Sequence, residues 1–258
     1  MKALKRMGVA AAAALTLLTS CLGDGNQSVS STCFAVAGVS SKNYKTVLNT
    51  TQGAFYSAGI ENKVMQGACY QISYDVDLSS AENANAAANG YYTAAITVGD
   101  EITKAQASFY NVPDTTRLVD SNELALKNVG ASSQLGVYVD GYLFLGLTVD
   151  QLKDQRNSYT LYWDRSAQPV TEDNVSTYNL YLRAVKTAEG TGSTVTSQVD
   201  VRAFEMKQVL ESVNNQESNK GSESFNLKVN YIETINEKDS TDLTWKSLTI
   251  PFYVSKES

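Results

Sequence analysis

The most constraining feature of this sequence is a strict alternation of apolar and polar residues between positions 69 and 78. One set comprises Tyr70, Ile72, Tyr74, Val76 and Leu78, and the other comprises Gln71, Ser73, Asp75 and Asp77. Residues two apart share one face of a β-strand, whereas a helix would scatter both sets around its axis. The segment therefore predicts a half-buried strand, and it favours a chain built from β-sheets.

Weaker alternation of the same kind divides the chain into two groups of strands. We expect the first group at residues 32–39, 44–50, 54–57, 91–98 and 103–110, and the second at residues 135–139, 142–149, 158–164, 177–185, 195–204, 225–232 and 248–254. Pro113 places a boundary between the groups, because proline lacks a ladder donor. Asp140-Gly141 predicts a tight hairpin turn. Seven strands at this spacing predict an antiparallel β-sandwich in the second group.

Four stretches lack the two-residue period. Residues 149–155 predict a short helix or turn, and so do residues 205–213, where Met206, Val209 and Leu210 recur at helical spacing. Residues 79–90 could form a turn of helix or a loop, and their asparagine content favours an exposed loop. The polar residues 214–224 predict a mobile loop.

The N-terminus has the three parts of a bacterial lipoprotein signal. Basic residues are followed by an apolar run at residues 7–18, and Cys21 follows Thr19 and Ser20. The run is about a dozen residues long, which is short of the ~20 needed to span a bilayer. We therefore predict a cleaved signal peptide at residues 1–20, lipidation of Cys21, and a flexible tether at residues 21–31.

Charge and composition exclude several functions. Cleavage would remove three cations and no acids, so the formal net charge would move from −6 to −9. A chain this acidic is not expected to bind nucleic acid. It contains no histidine, which excludes Ser-His-Asp triads and histidine-based zinc sites. We predict no catalytic residues, no metal site and no cofactor.

Carboxylates offer the remaining route to catalysis. A glycan hydrolase needs two carboxyl groups across a cleft, one with a raised pKa. The candidates are Asp75, Asp77, Glu172 and Asp173. The first two lie opposite the apolar face of their strand, and the others lie in a predicted turn, so solvated surface acids are the favoured interpretation.

Two cysteines would remain after lipidation of Cys21. An exported protein meets oxidising conditions, so Cys33 and Cys69 could form a disulfide. Two buried free thiols are the alternative, because cysteine packs well as a small apolar residue.

The order of several segments resembles a known family. A lipobox is followed by GACYQISY at 67–74, EITK at 101–104, GYLFL at 141–145, YNLYL at 178–182, VDVR at 199–202 and SLTIPF at 247–252. This order resembles the NigD-like lipoproteins of the Bacteroidales. The resemblance implies an OB-like barrel over residues 32–110, a β-sandwich over residues 111–258, and an outer-membrane anchor. The family has no established activity, and its association with a bacteriocin locus suggests an immunity or accessory role.

Two further expectations follow from the resemblance. Relatives carry a run of acids after the lipidated cysteine, whereas here only Asp24 follows, so both the periplasmic face and the cell surface stay open. Asp114-Thr115-Thr116 and Asp239-Ser240-Thr241 resemble the O-glycosylation sites of exported Bacteroidales proteins, which makes Thr115 and Ser240 candidate glycosylation sites.

Three functional hypotheses remain. The favoured one is a non-enzymatic binding or accessory module that contacts a glycan, a peptide or an envelope protein. Candidate stacking residues are Trp163, Trp245, Tyr91 and Tyr92, for which core packing is the alternative. The other hypotheses are the carboxylate-based hydrolase and an assembly lipoprotein whose edge strand pairs with a partner.

Overall fold

The computed structural model describes residues 28–109, 111–130, 137–167, 169–236 and 238–255. The predicted signal peptide and Cys21 lie outside these ranges. The protein is mainly β, as predicted, and it has two sheets with separate apolar clusters. Within the described ranges, no helix has the length and apolar character required to cross a bilayer.

The N-terminal sheet contains six strands in the order β5-β3-β2-β1-β4-β6. Only its β3–β5 pair is parallel. Ile72, Tyr74 and Val76 are buried and Asp75 is exposed, so the predicted alternation is confirmed. The strands are β1 (Ser28–Val39), β2 (Thr46–Thr50), β3 (Gly53–Tyr56), β4 (Cys69–Asp77), β5 (Tyr92–Thr93) and β6 (Ala95–Ile102).

Strand β1 begins at Ser28, so the last four residues assigned to the tether are in the sheet. Ser28 pairs with Asp77 at the end of β4. The Ser30 hydroxyl donates to Asp75 Oδ2 at 2.6 Å. Residues 28–31 therefore pair with β4, although they precede the segment of β1 in which apolar and polar residues alternate.

Residues 79–90 are mostly exposed, and they form short helical turns, which was the alternative to the favoured loop. A 3-10 turn spans Ala81–Asn83, and helix α1 spans Ala86–Asn89. The buried Asn83 amide donates to the carbonyls of Asp77 and Thr93 and accepts from the Thr93 amide at 2.7 Å. The Asn83 side chain therefore supplies the hydrogen-bond partners that these backbone groups of residues 77 and 93 need inside the domain.

The C-terminal sheet is continuous and mixed. Its main path is β10-β11-β15-β7-β12-β14-β16-β17, with β8, β9 and β13 paired at its sides. The strands are β7 (Lys104–Ser108), β8 (Glu123–Leu124), β9 (Asn128–Val129), β10 (Val137–Val139), β11 (Tyr142–Lys153), β12 (Arg156–Trp163), β13 (Val170–Glu172), β14 (Val175–Ala188), β15 (Thr191–Glu205), β16 (Ser224–Asn236) and β17 (Asp239–Tyr253).

This sheet corrects the prediction of an antiparallel sandwich over residues 111–258. Strand β7 is parallel to both of its neighbours, and β14 is parallel to β16. The sheet curls around one apolar cluster, and Tyr138 near one end lies 6.2 Å from Phe252 near the other. It is therefore a nearly closed, barrel-like sheet. The alternation along each strand is the same in both architectures, which is why the sequence did not distinguish them.

The boundary between the sheets lies earlier than the expected position near residue 110. Ile102 still pairs with Cys69 in the N-terminal sheet, whereas Lys104 pairs with Ala203 in the C-terminal sheet. The change of sheet thus occurs at Thr103.

The two sheets share an apolar junction. Phe34 of β1 stacks on Phe144 of β11 with ring centroids 4.8 Å apart and planes 5° apart. Val36, Cys69 and Ala203 belong to the same cluster. Asn49 Nδ2 donates to Asp140 Oδ2 across the junction at 2.6 Å. The two domains are therefore packed against each other through β1.

The helix predicted near residues 205–213 is present but longer. Helix α2 spans Lys207–Lys220 and includes most of the polar segment expected to be a mobile loop. Buried Glu217 accepts from the Tyr178 hydroxyl at 2.5 Å, and buried Asn214 accepts from the Ser255 amide at 2.9 Å. The predicted helix or turn at residues 149–155 is instead the end of β11 and a short turn into β12.

Candidate binding surface

A group of tyrosines lies on the N-terminal domain beside the loop that joins β1 to β2. We define the tyrosine patch as Tyr44, Tyr56 and Tyr91 with the neighbouring Asn43, Lys42 and Lys45. The rings of Tyr56 and Tyr91 are 5.1 Å apart. Asn43 Nδ2 donates to the Tyr91 hydroxyl at 2.9 Å. Tyr44 follows Asn43 directly and is 83% exposed. Most of the Tyr44 ring is therefore available to a ligand.

The loop is held in place by short neutral hydrogen bonds. The Tyr44 amide donates to the Ser40 carbonyl at 3.0 Å, and the Ser40 amide donates to the Lys45 carbonyl at 2.9 Å. The Ser40 hydroxyl donates to the Asn89 carbonyl at 3.0 Å. These bonds hold Tyr44 in the left-handed region with φ of 60°. A bulky side chain is rare there, because its Cβ crowds the following carbonyl.

The charges of the patch are mainly basic. Lys45 Nζ lies 3.1 Å from Glu61 Oε1 and 5.4 Å from the Tyr56 ring centroid. The hydrogen bond to Glu61 raises the pKa of Lys45. Lys42 makes no ion pair with any described residue, and its stem lies near Gly90. The patch therefore offers one free cation in a chain that is acidic as a whole.

The patch lies far from the segment that leads back to Cys21. Strand β1 has 12 residues and is roughly 36 Å long at about 3.3 Å per residue. Its start is continuous with the predicted tether, and its end leads into the loop that carries Tyr44. The two ends of β1 thus separate the predicted lipid from the patch.

The other predicted stacking residues are less exposed than Tyr44. Tyr92 is 37% exposed but lies beside the core residue Phe55, with ring centroids 6.3 Å apart. Trp163 is 6% exposed and packs against Phe109. Trp245 is half-buried, and its Nε1 donates to the Thr115 carbonyl at 3.1 Å. For Trp163, core packing is therefore the interpretation that the structure supports.

The four candidate carboxylates do not form a catalytic pair. Asp75 and Asp77 lie on the N-terminal sheet, whereas Glu172 lies 2.8 Å from Lys228 in the other domain. Asp173 lies in a turn with φ of 50°. Hydrogen bonds from Ser79 lower the pKa of Asp77, which is opposite to the requirement for a general acid. Among the described residues, no group of three or more acidic or cysteine side chains could hold a metal ion.

Cys33 and Cys69 are free thiols, which is the alternative that the sequence left open beside a disulfide. Cys33 pairs with Ile72, so Cys69 lies three residues further along the neighbouring strand. That offset corresponds to roughly 10 Å and places the two side chains on opposite faces. Cys33 joins the N-terminal core and Cys69 joins the domain junction. Burial raises the pKa of each thiol to about 11.

The two candidate glycosylation motifs adopt the same turn and lie side by side. Asp114 Oδ1 accepts from the Thr116 amide at 2.8 Å, and Asp239 Oδ1 accepts from the Thr241 amide at 2.9 Å. The Leu118 amide donates to the Ser240 carbonyl at 2.9 Å. Ser240 is exposed, whereas Thr115 is half-buried. Glycosylation of either residue remains a prediction.

Sequence reasoning missed the central residues of the patch. Tyr44 was assigned to a strand that in fact begins at Thr46, and Asn43 was not considered. A left-handed backbone conformation occurs most often at glycine, asparagine or aspartate. A tyrosine at this position carries no such signal. Only Tyr91 was identified in advance.

Comparison with known proteins relates this fold to others. Residues 25–100 match the lipoprotein OB domain family. An uncharacterized protein from Parabacteroides merdae is 27% identical and aligns over 88% of this chain and 100% of its own, with a TM-score of 0.75. None of the curated proteins matches the sequence.

Two further structures align with this chain at lower identity. A protein assigned as a lipoprotein from Bacteroides fragilis is 14% identical, covers 86% of this chain and 97% of its own, and has a TM-score of 0.51. A NigD-like immunity protein from Bacteroides caccae is 10% identical over 84% of this chain and 91% of its own, with a TM-score of 0.45.

The predicted resemblance to OB-containing lipoproteins of the Bacteroidales is confirmed by the family match and by the kinds of structure that align. The family match begins just before β1 and ends within β6, so it covers most of the N-terminal sheet. Residues 25–100 are therefore similar to the lipoprotein OB domain family, and anchoring of this protein to a membrane of the cell envelope stays a prediction.

Proposed function

We propose that this lipoprotein is a non-enzymatic binding module of the outer membrane, and that its tyrosine patch binds a glycan. The observation that carries the proposal is Tyr44, which is 83% exposed and held with φ of 60°. A left-handed backbone costs an L-residue about 1–2 kcal/mol. Strain of this kind concentrates at functional sites. An exposed aromatic ring in such a conformation has no packing role that would compensate for the strain.

The chemistry of the patch suits a carbohydrate. The Tyr44 ring gives a flat face for stacking on a sugar, and the Asn43 carbonyl oxygen and the Lys42 ammonium group supply polar contacts beside it. OB folds commonly bind oligosaccharides through the loop between their first two strands. The patch is an open surface, which favours internal units of a long chain over a small enclosed molecule.

The orientation of the patch supports binding away from the anchor. With lipid on Cys21, the tether joins the domain at Ser28, and the patch lies at the opposite end of β1. We therefore propose that the patch faces the space beyond the membrane surface.

Protease shaving of intact cells distinguishes the two faces of the outer membrane. Cleavage in intact cells indicates surface display, whereas protection in cells and cleavage after outer-membrane permeabilisation indicate the periplasmic face.

A glycan microarray with the detergent-solubilised lipoprotein tests the binding proposal. We expect binding to at least one polysaccharide and a loss of tenfold or more in Tyr44→Ala. Tyr253→Ala is the matched control, because Tyr253 is 51% exposed on β17 in the other domain, and it should bind as the wild type does. Equal binding by wild type and Tyr44→Ala, or no glycan binding by the wild type, would overturn the proposal.

A second candidate function is assembly with an envelope protein through a strand edge. The first nine residues of β15 are all exposed, and Val195 and Val199 are more than half exposed. Among the described residues, β7 pairs with β15 only at Ala203 and Phe204. Exposed edges of this kind accept partner strands. Replacing Val199 with lysine should abolish a crosslinked complex if assembly is the function, and an unchanged complex would exclude this edge.

A further inference from the structure

The C-terminal domain contains a cavity that the tyrosine patch does not use. Its volume is about 480 Å³, which is within the range of small-ligand pockets. We call it the linker pocket, because Val112, Pro113, Asp114 and Thr115 of the segment between β7 and β8 form one wall. The other walls are formed by Asp164 and Ala167 after β12, by Val170 of β13, and by Trp163, Tyr178, Asn179 and Tyr181 of β12 and β14.

A buried arginine holds the linker wall in place. Arg183 of β14 is 3% exposed and makes a two-pronged ion pair with Glu123, with both N···O distances at 2.5 Å. The same guanidinium donates to the carbonyls of Asp114 at 3.2 Å and Arg117 at 3.3 Å. The indole of Trp245 donates to the Thr115 carbonyl. The wall is therefore fixed before any ligand arrives, which lowers the entropic cost of binding.

Several polar groups that line the pocket are free to bind a ligand. Asn179 Oδ1 accepts from Asn230 Nδ2 at 3.1 Å, but the Asn179 amide hydrogens have no acceptor among the described residues. Asp164 Oδ1 accepts from the amide and hydroxyl of Ser166, and the Asp164 carboxylate retains further acceptor capacity. The hydroxyl groups of Thr115 and Tyr181 likewise donate to no described residue. The pocket thus presents donors and acceptors side by side.

The charge of the lining narrows the ligand class. Among the described residues, two aspartates line the pocket and no lysine or arginine does. Hydrogen bonds from Thr116 lower the pKa of Asp114, and those from Ser166 lower the pKa of Asp164, so both carboxylates are ionised at neutral pH. Arg117 Nε pairs with Asp114 Oδ2 at 3.1 Å, whereas Asp164 makes no ion pair with a described residue, so Asp164 would repel an acidic ligand. A neutral ligand with several hydroxyl groups would match the planar amide and carboxylate and could pack on the apolar parts of Val170 and Tyr181.

We propose that the linker pocket binds the terminal unit of a neutral oligosaccharide. A recess of this size admits the end of a chain, whereas the open tyrosine patch suits its interior. The two sites lie in different domains and share no residue. The pocket proposal therefore does not depend on glycan binding by the patch, and it adds a second, size-limited specificity to the same protein.

Titration calorimetry on the detergent-solubilised lipoprotein tests the pocket. The probes are three neutral trisaccharides, namely maltotriose, cellotriose and mannotriose, and one acidic trimer, trigalacturonic acid. We expect binding of at least one neutral trimer and no binding of the acidic trimer. Asn179→Ala should weaken the neutral interaction about tenfold, because a hydrogen bond contributes up to about that factor. Tyr181→Phe removes one hydroxyl without changing the packing and should weaken it two- to tenfold.

The matched control is Asn226→Ala, an amide on the neighbouring strand β16 that donates to Thr177 and does not line the pocket. It should bind within twofold of wild type. Tyr44→Ala should also leave trimer binding unchanged, which separates failure of the pocket from failure of the patch. Absence of binding to all three neutral trimers, tighter binding of the acidic trimer, or unchanged affinity in both Asn179→Ala and Tyr181→Phe would overturn the proposal.

Discussion

The two domains fix the loops beside their binding surfaces in different ways. In the N-terminal domain the loop of the tyrosine patch is held by neutral groups, and the buried polar side chains are Ser40 and Asn83. Among the described residues, all the buried charged side chains belong to the C-terminal domain, namely Glu123, Arg183 and Glu217. Both domains thus satisfy backbone groups with buried amides, and among the described residues only the C-terminal domain adds buried charged side chains.

This difference has consequences for stability and motion. An isolated buried charge is costly, so an ion pair such as Arg183–Glu123 couples the linker wall to the whole domain. A loop held by neutral hydrogen bonds can open locally at a lower cost. The linker pocket should therefore persist until the C-terminal domain unfolds, whereas residues 40–45 and 79–93 should exchange and open separately. The predictions below test this contrast.

The largest effect is expected when the buried ion pair is broken. Arg183→Met leaves Glu123 buried without its partner, and it should lower the free energy of unfolding of the C-terminal domain by about 3–5 kcal/mol. Urea unfolding followed by tryptophan fluorescence measures it, because both tryptophans lie in this domain. Glu189→Gln is the control, because it removes the exposed Lys186–Glu189 pair and should cost less than about 1 kcal/mol. Similar losses in both variants would contradict the contrast.

The second effect concerns Glu217, which connects α2 to β14. Burial opposes its ionisation, but hydrogen bonds from Lys220, Tyr178 and Ser222 outweigh burial and lower its pKa to about 2. Glu217→Gln should cost about 1–3 kcal/mol at pH 7. Thermal unfolding at pH 7 measures this loss.

The pH dependence gives an independent check on Glu217. A lowered carboxyl pKa stabilises the folded state above the unfolded value, near pH 4.5, and this contribution disappears as the pH falls towards 2. The wild type should therefore lose more stability than Glu217→Gln between pH 4.5 and 2. Parallel curves for the two proteins over that range would show that the carboxylate is not held in its ionised form.

A smaller and more local effect is expected in the N-terminal domain. Asn83→Ala removes three hydrogen bonds to the backbone of residues 77 and 93, and it should cost about 1–2 kcal/mol. Hydrogen exchange should accelerate in residues 79–93 and stay unchanged in the C-terminal sheet. Asn85→Ala alters an exposed neighbour and should leave exchange unaltered. Faster exchange across both domains would show that the neutral loops are coupled to the global fold.

The smallest effect on stability is expected at Tyr44. Tyr44→Gly relieves the left-handed backbone but adds freedom to the unfolded chain, so the protein should gain at most about 1 kcal/mol. Thermal unfolding measures this gain, and the glycan microarray measures the accompanying loss of binding. A marked loss of stability would indicate that Tyr44 has a packing role instead of the proposed binding role.

Many of the strands could be predicted from the two-residue period, because a half-buried strand has apolar residues on one face and polar residues on the other. Ile72 and Asp75 lie where the pattern placed them. The pattern does not record which strands are neighbours, so the insertion of the five-residue β7 between β15 and β12 was not predicted. Nor does it record tertiary hydrogen bonds, and for that reason the polar half of α2, with Asn214 and Glu217 buried, was assigned to a loop.

The candidate sites were predicted less well, for a related reason. Tyr91 was identified from the sequence as a candidate stacking residue. The proposed role of Tyr44 rests on its left-handed backbone, which its residue type does not indicate. Asn179 and Tyr181 were assigned to a strand and were given no binding role. Their role in the linker pocket depends on a segment more than sixty residues earlier in the chain, which Arg183 binds to the sheet.

The most direct test of the central claim is the glycan microarray performed in parallel on wild type, Tyr44→Ala and Asn179→Ala. The claim is that this lipoprotein binds glycans through two separate sites without catalysis. We predict that the wild type binds long and short neutral glycans, that Tyr44→Ala loses only the long ones, and that Asn179→Ala loses the short ones. A wild-type protein that binds no glycan, or one that cleaves the glycan it binds, would contradict the account.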